Sequence, residues 1–159
     1  MPVQQTAPYG SWKSSITSDL IVAATIGLGQ IALDGDTVYW SEARPTEGGR
    51  NVVVRWSPDG QTTDLLPAPF NARTRVHEYG GGAFAVHQDV VYFSHFPDQR
   101  LYRQALSSEP QPLTHSGALR YADAILDKHR HRLLCVCEDH TVTNQEPVNK
   151  LVSINLSTG

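Results

Sequence analysis

Val90-Val91-Tyr92-Phe93-Ser94-His95 follows the polar turn His87-Gln88-Asp89 and precedes a second turn at Pro97-Asp98-Gln99. Its β-branched and aromatic residues favour a strand, and the flanking turn residues bound it at strand length. Consecutive apolar residues face both sides of a strand, because side chains alternate. A strand apolar on both faces is covered on both faces, so another layer lies on each side. Arg132-Leu133-Leu134-Cys135-Val136 repeats this character.

Working outward, the pattern recurs along the chain. Val38-Tyr39-Trp40, Val91-Tyr92-Phe93 and Leu133-Leu134-Cys135 occupy one slot. Val53-Val54-Arg55, Leu101-Tyr102-Arg103 and Leu151-Val152-Ser153 occupy the next. Between these lie shorter apolar runs and turns, including Asp34-Gly35-Asp36, Ser57-Pro58-Asp59-Gly60 and the basic turn 127–131. The Ser-Pro-Asp-Gly string suits a type I turn, with proline second and glycine fourth. Four strands about every 40 to 50 residues is the period of propeller blades. The expected fold is therefore all-β: an incomplete β-propeller of about three four-stranded blades, the last lacking its outer strand, after a short amino-terminal helix. A β-sandwich is the alternative architecture, though it would more often alternate apolar with polar.

The expected division is an extension over 1–30 and a partial propeller over 31–159. Its blades fall at about 31–70, 80–116 and 120–159. In the extension, Thr17 or Ser18 is placed to cap a helix through 20–24, with Asp19 at its positive end. Gly27 and Gly29 are read as its stop. Three incomplete blades cannot close a ring. The expectation is a segment of a larger protein, or a chain that completes its ring with other chains.

Composition narrows the function. Of 159 residues, 40% are hydrophobic and 18% charged, which is a globular balance. A net charge of −3 offers no basic face for nucleic acid. The apolar stretch 20–33 is broken by Thr25, Gly27, Gly29 and Gln30 and is too short to cross a bilayer. Residues 1–10 (MPVQQTAPYG) have neither the basic nor the apolar region of a secretory signal. A soluble cytoplasmic protein is expected. Cys135 and Cys137, two apart on a strand, share one face and read as buried thiols rather than a disulfide or a zinc pair.

No chemical motif survives inspection. Gly27-Leu28-Gly29-Gln30-Ile31-Ala32 loosely matches a dinucleotide fingerprint, but a helix precedes it and a strand follows, the reverse of what pyrophosphate binding needs. Gly80-Gly81-Gly82 lacks a following helix to hold an anion and reads as the way into a crowded innermost strand. The seven histidines are scattered, with no H-E-x-x-H pair. No G-x-S-x-G nucleophile elbow and no S-x-x-K occurs. No catalytic residue, metal ligand or cofactor is expected.

Two stretches carry a resemblance. Tyr9-Gly10-Ser11-Trp12-Lys13-Ser14 with Ile16-Thr17, leading to Asp19-Leu20-Ile21-Val22, resembles the beginning of prolyl oligopeptidase family serine peptidases. It is closest to the dipeptidyl aminopeptidase and acylaminoacyl-peptidase branch. Arg75-Val76-His77-Glu78-Tyr79-Gly80-Gly81-Gly82 resembles a segment of the same branch, and Ser57-Pro58-Asp59-Gly60 a turn of its propeller repeats. Ser15 stands where relatives are expected to carry proline.

The resemblance implies an amino-terminal propeller that restricts access to a Ser-Asp-His triad on a separate α/β-hydrolase domain. None of the triad positions lies in this sequence. The implied partners are that hydrolase domain, or a separate hydrolase chain, and a peptide substrate in the complete protein. The implied function is gating or filtering of peptides, without catalysis by this chain alone. A free-standing protein-interaction propeller is the alternative. A metal-dependent propeller enzyme of the lactonase type is a third reading, for which no convergent carboxylate set can be assembled.

The resemblance also points to Glu78, with Arg75 and Tyr79 beside it, as candidate substrate-binding residues. A propeller carboxylate can pair with the free amino terminus of a substrate. Against that stands a structural ion pair to Arg73 or Arg75.

Overall fold

The computed structural model describes residues 6–22 and 25–159. The first sheet contains β1 (Gly27–Asp34), β2 (Thr37–Arg44), β3 (Arg50–Trp56) and β4 (Thr62–Asp64). The second contains β5 (Phe84–His87), β6 (Val90–Ser94), β7 (Leu101–Ala105) and β8 (Gln111–Pro112). The third contains β9 (Leu119–Asp127), β10 (Arg132–Asp139) and β11 (Val148–Asn155). Each sheet is antiparallel, with its strands in sequence order.

The three sheets stack face to face. Tyr39, Val53, Phe84, Val91, Phe93 and Tyr102 form a buried cluster joining the first two. Phe93 and Tyr102 stack at 5.7 Å, and Phe70 packs edge-on against both. Tyr92, Leu101, Tyr121, Leu133, Cys135 and Ile154 form the second cluster, between sheets two and three. In β6, Val91 and Phe93 face one cluster and Tyr92 the other, as expected for a strand covered on both sides. Each fully buried side chain of this size adds about 1.5–3 kcal/mol by leaving water.

The first strands of successive sheets are neighbours. The Gln30 side-chain amide donates to the Phe84 carbonyl (2.6 Å), and its oxygen accepts from the Ala83 N–H (2.9 Å). The Asp123 N–H donates to the Gly82 carbonyl (2.8 Å), while the Gly82 N–H donates to Asp123 Oδ1 (2.6 Å). Deeper in the stack, Ser94 Oγ donates to the Tyr121 carbonyl (2.7 Å). First strands side by side, with later strands fanning outward, is the arrangement of propeller blades.

Helix α1 (Ser18–Val22) is capped by Thr17, whose Oγ1 accepts from the Leu20 N–H at 3.1 Å. Residues 23 and 24 of the expected helix lie outside the described residues. Gly27 and Gly29 are not the helix stop they were read as; both are strand residues of β1. A Cβ at Gly29 would lie 2.5 Å from Ser41 Oγ, and the β1–β2 register shifts between Leu28 and Ile31. Glycine is there for close approach beside a bulge. Cys135 and Cys137 are buried free thiols on one face of β10. Burial pushes the Cys135 thiol up to about 12. Among the described residues, no helix is long and apolar enough to cross a membrane.

Candidate functional site

Segment 73–82 leads into β5 and carries the three residues singled out from the sequence. Its fixed point is Val76, fully buried, whose N–H bonds Thr74 Oγ1 at 3.2 Å. The chain then turns sharply. The Glu78 N–H donates to the Arg75 carbonyl (2.8 Å) and the Gly80 N–H to the Val76 carbonyl (2.9 Å). His77 and Glu78 both take left-handed conformations, with φ of 57° and 64°, ahead of Gly80 at 90°. Two consecutive side-chain-bearing residues there are uncommon and require outside support.

That support comes from the third sheet. Glu138, near the end of β10, is 3% exposed, and its Oε1 accepts the His77 N–H at 3.0 Å. Its Oε2 meets His140 Nε2 at 2.8 Å and Arg120 Nη1 at 3.3 Å. Burial by itself would raise the Glu138 pKa. The bond to His140, the His77 N–H and the nearby Arg120 charge outweigh it and hold the carboxyl below its ordinary value. Arg120, on β9, also donates to the Arg75 carbonyl (3.1 Å) and to Glu78 Oε1 (2.6 Å).

Glu78 therefore does form an ion pair, but with Arg120 rather than with its sequence neighbours. Arg73 and Arg75 instead place their guanidinium groups over the Phe96 ring, at 4.8 and 4.5 Å. The Arg75 N–H is held by Gln99 Oε1 at 2.7 Å. The Glu78 side chain stays 77% exposed despite its partner. Tyr79 is 90% exposed, its ring 6.1 Å from that of His77. Tyr79, Arg73, Gly81, Gln30, Ser41 and Asn51 border an open cleft of about 510 Å³ between the first sheet and segment 73–82. The site offers an exposed carboxylate, an exposed aromatic ring and a cleft of mixed polar and apolar lining.

Arg120, Glu138 and His140 escaped the sequence reading. One signal was present: Glu138 is an acid directly after the apolar run Leu133-Leu134-Cys135-Val136-Cys137, on a strand covered by neighbours. Among the described residues, no group of three or more His, Cys, Asp or Glu side chains is arranged to hold a metal ion.

The stack, with its first strands together at one edge and turns gathered beside them, defines the protein as a β-propeller segment. Comparison with solved structures shows what it is similar to. Puromycin hydrolase superposes with a TM-score of 0.82 at 34% identity, covering 98% of this chain and 26% of that one. A puromycin-hydrolyzing peptidase of Mycobacterium tuberculosis superposes with a TM-score of 0.79 at 38% identity, again over 98% of this chain and 26% of its own. The chain thus corresponds to the amino-terminal propeller portion of prolyl oligopeptidase family peptidases. It spans about a quarter of the length of these relatives. No protein-family model matches it, and no curated protein matches it.

Proposed function

We propose that this chain is the substrate-admitting propeller segment of a serine peptidase, of the dipeptidyl aminopeptidase and acylaminoacyl-peptidase kind. It works with an α/β-hydrolase domain that carries the chemistry, in the same polypeptide or a companion chain. The observation that supports this most is the 34% and 38% identity to two puromycin-hydrolysing proteins across 98% of the chain. The proposed division is an extension over 1–30 and propeller over 31–159, with blades near 31–70, 80–116 and 120–159.

The proposed substrates are small peptides and aminoacyl amides with a free α-amino group, a class that includes puromycin. Glu78 receives the substrate ammonium, since its carboxylate is exposed despite its pairing with Arg120. Tyr79 offers a ring for an aromatic aminoacyl side chain. Arg75, held against Phe96, favours a carbonyl or carboxylate of the same ligand. A cytoplasmic setting suits two cysteines left unpaired.

The test is kinetic. The complete polypeptide carrying this segment is expected to release the aminoacyl group of puromycin, whereas the 159 residues alone, with no elbow serine, are expected to give no turnover. In the complete protein, Glu78→Gln should raise KM for puromycin about tenfold and spare amino-blocked reporter substrates. Equal loss on free and blocked substrates would overturn the assignment of Glu78. Serine-phosphonate-sensitive turnover by the 159 residues alone would overturn the division of labour.

A further inference from the structure

We infer that Glu138 and Arg120 are positioning residues, a latch from the third sheet that holds the left-handed turn at 77–80 and so sets where Glu78 and Tyr79 stand. Its consequence for substrate binding rests on the reading of Glu78 proposed above; the latch itself does not.

Geometry carries the inference. Glu138 is a carboxylate with a side chain 4% exposed, and burying such a charge is costly unless its oxygens are satisfied. Both oxygens are satisfied, and the partners divide into two sets. On its own sheet it meets His140 and Arg120. Across the gap to the second sheet it accepts the His77 N–H, with His77 Nδ1 a further 3.7 Å from the same oxygen. Arg120 bridges the same gap through a single nitrogen, Nη1, which reaches the Arg75 carbonyl, Glu78 Oε1 and Glu138 Oε2.

Three consequences follow for the turn. Its first carbonyl is fixed by Arg120. Its central N–H is fixed by Glu138, at a residue whose φ is unfavourable for any side chain bearing a Cβ. Its exposed carboxylate is pulled toward β9. No bond within the segment supplies the same restraint at His77, whose N–H points out of the turn into Glu138. The latch spans 61 residues between His77 and Glu138 and 42 between Glu78 and Arg120, so the turn is held correctly only when the two sheets are docked.

Hydrogen exchange on the 159-residue chain tests this. Glu138→Ala should speed exchange of the 77–80 amides about tenfold or more, because a hydrogen bond to a charged group is lost. Glu138→Gln should speed it less, since its amide oxygen still accepts from the His77 N–H. Glu78→Gln should leave these amides nearly unchanged, because Glu78 is what the latch positions. If Glu138→Ala unfolds the third sheet, Arg120→Gln decides alone and should loosen 77–80 while β10 stays protected. Unchanged exchange at 77–80 in the deciding variant would overturn the inference. So would Glu78→Gln loosening the turn as much as Glu138→Ala does. In the complete protein, Arg120→Gln should raise KM for free-amino substrates more than it lowers kcat. If the latch variants free the turn while Glu78→Gln spares KM, the latch stands and the ammonium reading falls.

Discussion

Replacing Gln30 with alanine removes the side-chain link between the first strands of sheets one and two. Gln30 Nε2 donates to the Phe84 carbonyl at 2.6 Å, and its Oε1 accepts the Ala83 N–H at 2.9 Å and the Phe84 N–H at 3.3 Å. Two of these are well formed, and each contributes about 1 kcal/mol net. The third is long and adds little. The half-buried site lets water reach the freed groups, so no full desolvation penalty is added. Gln30→Ala should therefore cost about 2 kcal/mol, or about 4–8 °C in melting temperature for a domain of this size. Urea unfolding followed by the fluorescence of Trp40 and Trp56 on the first sheet measures it, and the denaturant slope should not change.

Gln30→Glu sharpens the test. Glutamate keeps an acceptor for the Ala83 N–H but turns a second oxygen toward the Phe84 carbonyl. At neutral pH it should cost at least as much as alanine. As pH falls through about 4.3, the protonated acid can donate to that carbonyl and part of the loss should return relative to wild type. A cost for Gln30→Ala below about 0.5 kcal/mol would show that the Gln30 bonds contribute little to docking the two sheets. A glutamate variant as stable as wild type at pH 7 would refute the assigned bonding.

Ile31 (70% exposed) and Leu33 face away from the second sheet on one end of the stack, and Ile125 and Leu151 (87% exposed) are open on the other, so the chain is expected to self-associate with concentration. Sedimentation velocity should show this, with Ile31→Lys and Leu151→Lys together shifting the distribution toward monomer; a wild type that stays monomeric at high concentration contradicts it. Acid should destabilise the fold. Asp64, held low by its hydrogen bond to Arg44, and Glu138, held low by His140, His77 and Arg120, bind protons more weakly folded than unfolded. Their stabilisation is present above the ordinary carboxylate range and is lost as pH falls below it. Denaturation midpoints from pH 7 to pH 3 should drop mainly below about 4.5, and Arg44→Gln should flatten the drop.

Strand existence was legible because it is written locally. Val91-Tyr92-Phe93 and Leu133-Leu134-Cys135 are apolar on both faces, a pattern that a covered middle strand requires and that nothing distant can disguise. Spacing of these slots then set the blade count. Gly27 and Gly29 show where local reading fails. A glycine pair after a helical stretch is an ordinary stop signal, yet Gly29 lies within a strand, where a Cβ would require the Ser41 hydroxyl on the neighbouring strand to turn aside.

The candidate site divides the same way. Sequence alone singled out Glu78, Arg75 and Tyr79 and supplied Arg73 and Arg75 as the nearest countercharges. Proximity along the chain was the wrong guide, because both arginines are drawn to Phe96 and the ion pair goes to Arg120, 42 residues away. Strand pattern depends on the period of the backbone, which each residue carries with it. Which charge meets which depends on how two sheets rotate and dock, and that is settled by the packing of Tyr92, Tyr121 and Leu133 between them. The sequence by itself determined that this chain builds blades; only the stacked sheets decided that a buried glutamate on the third blade holds the turn that opens the second.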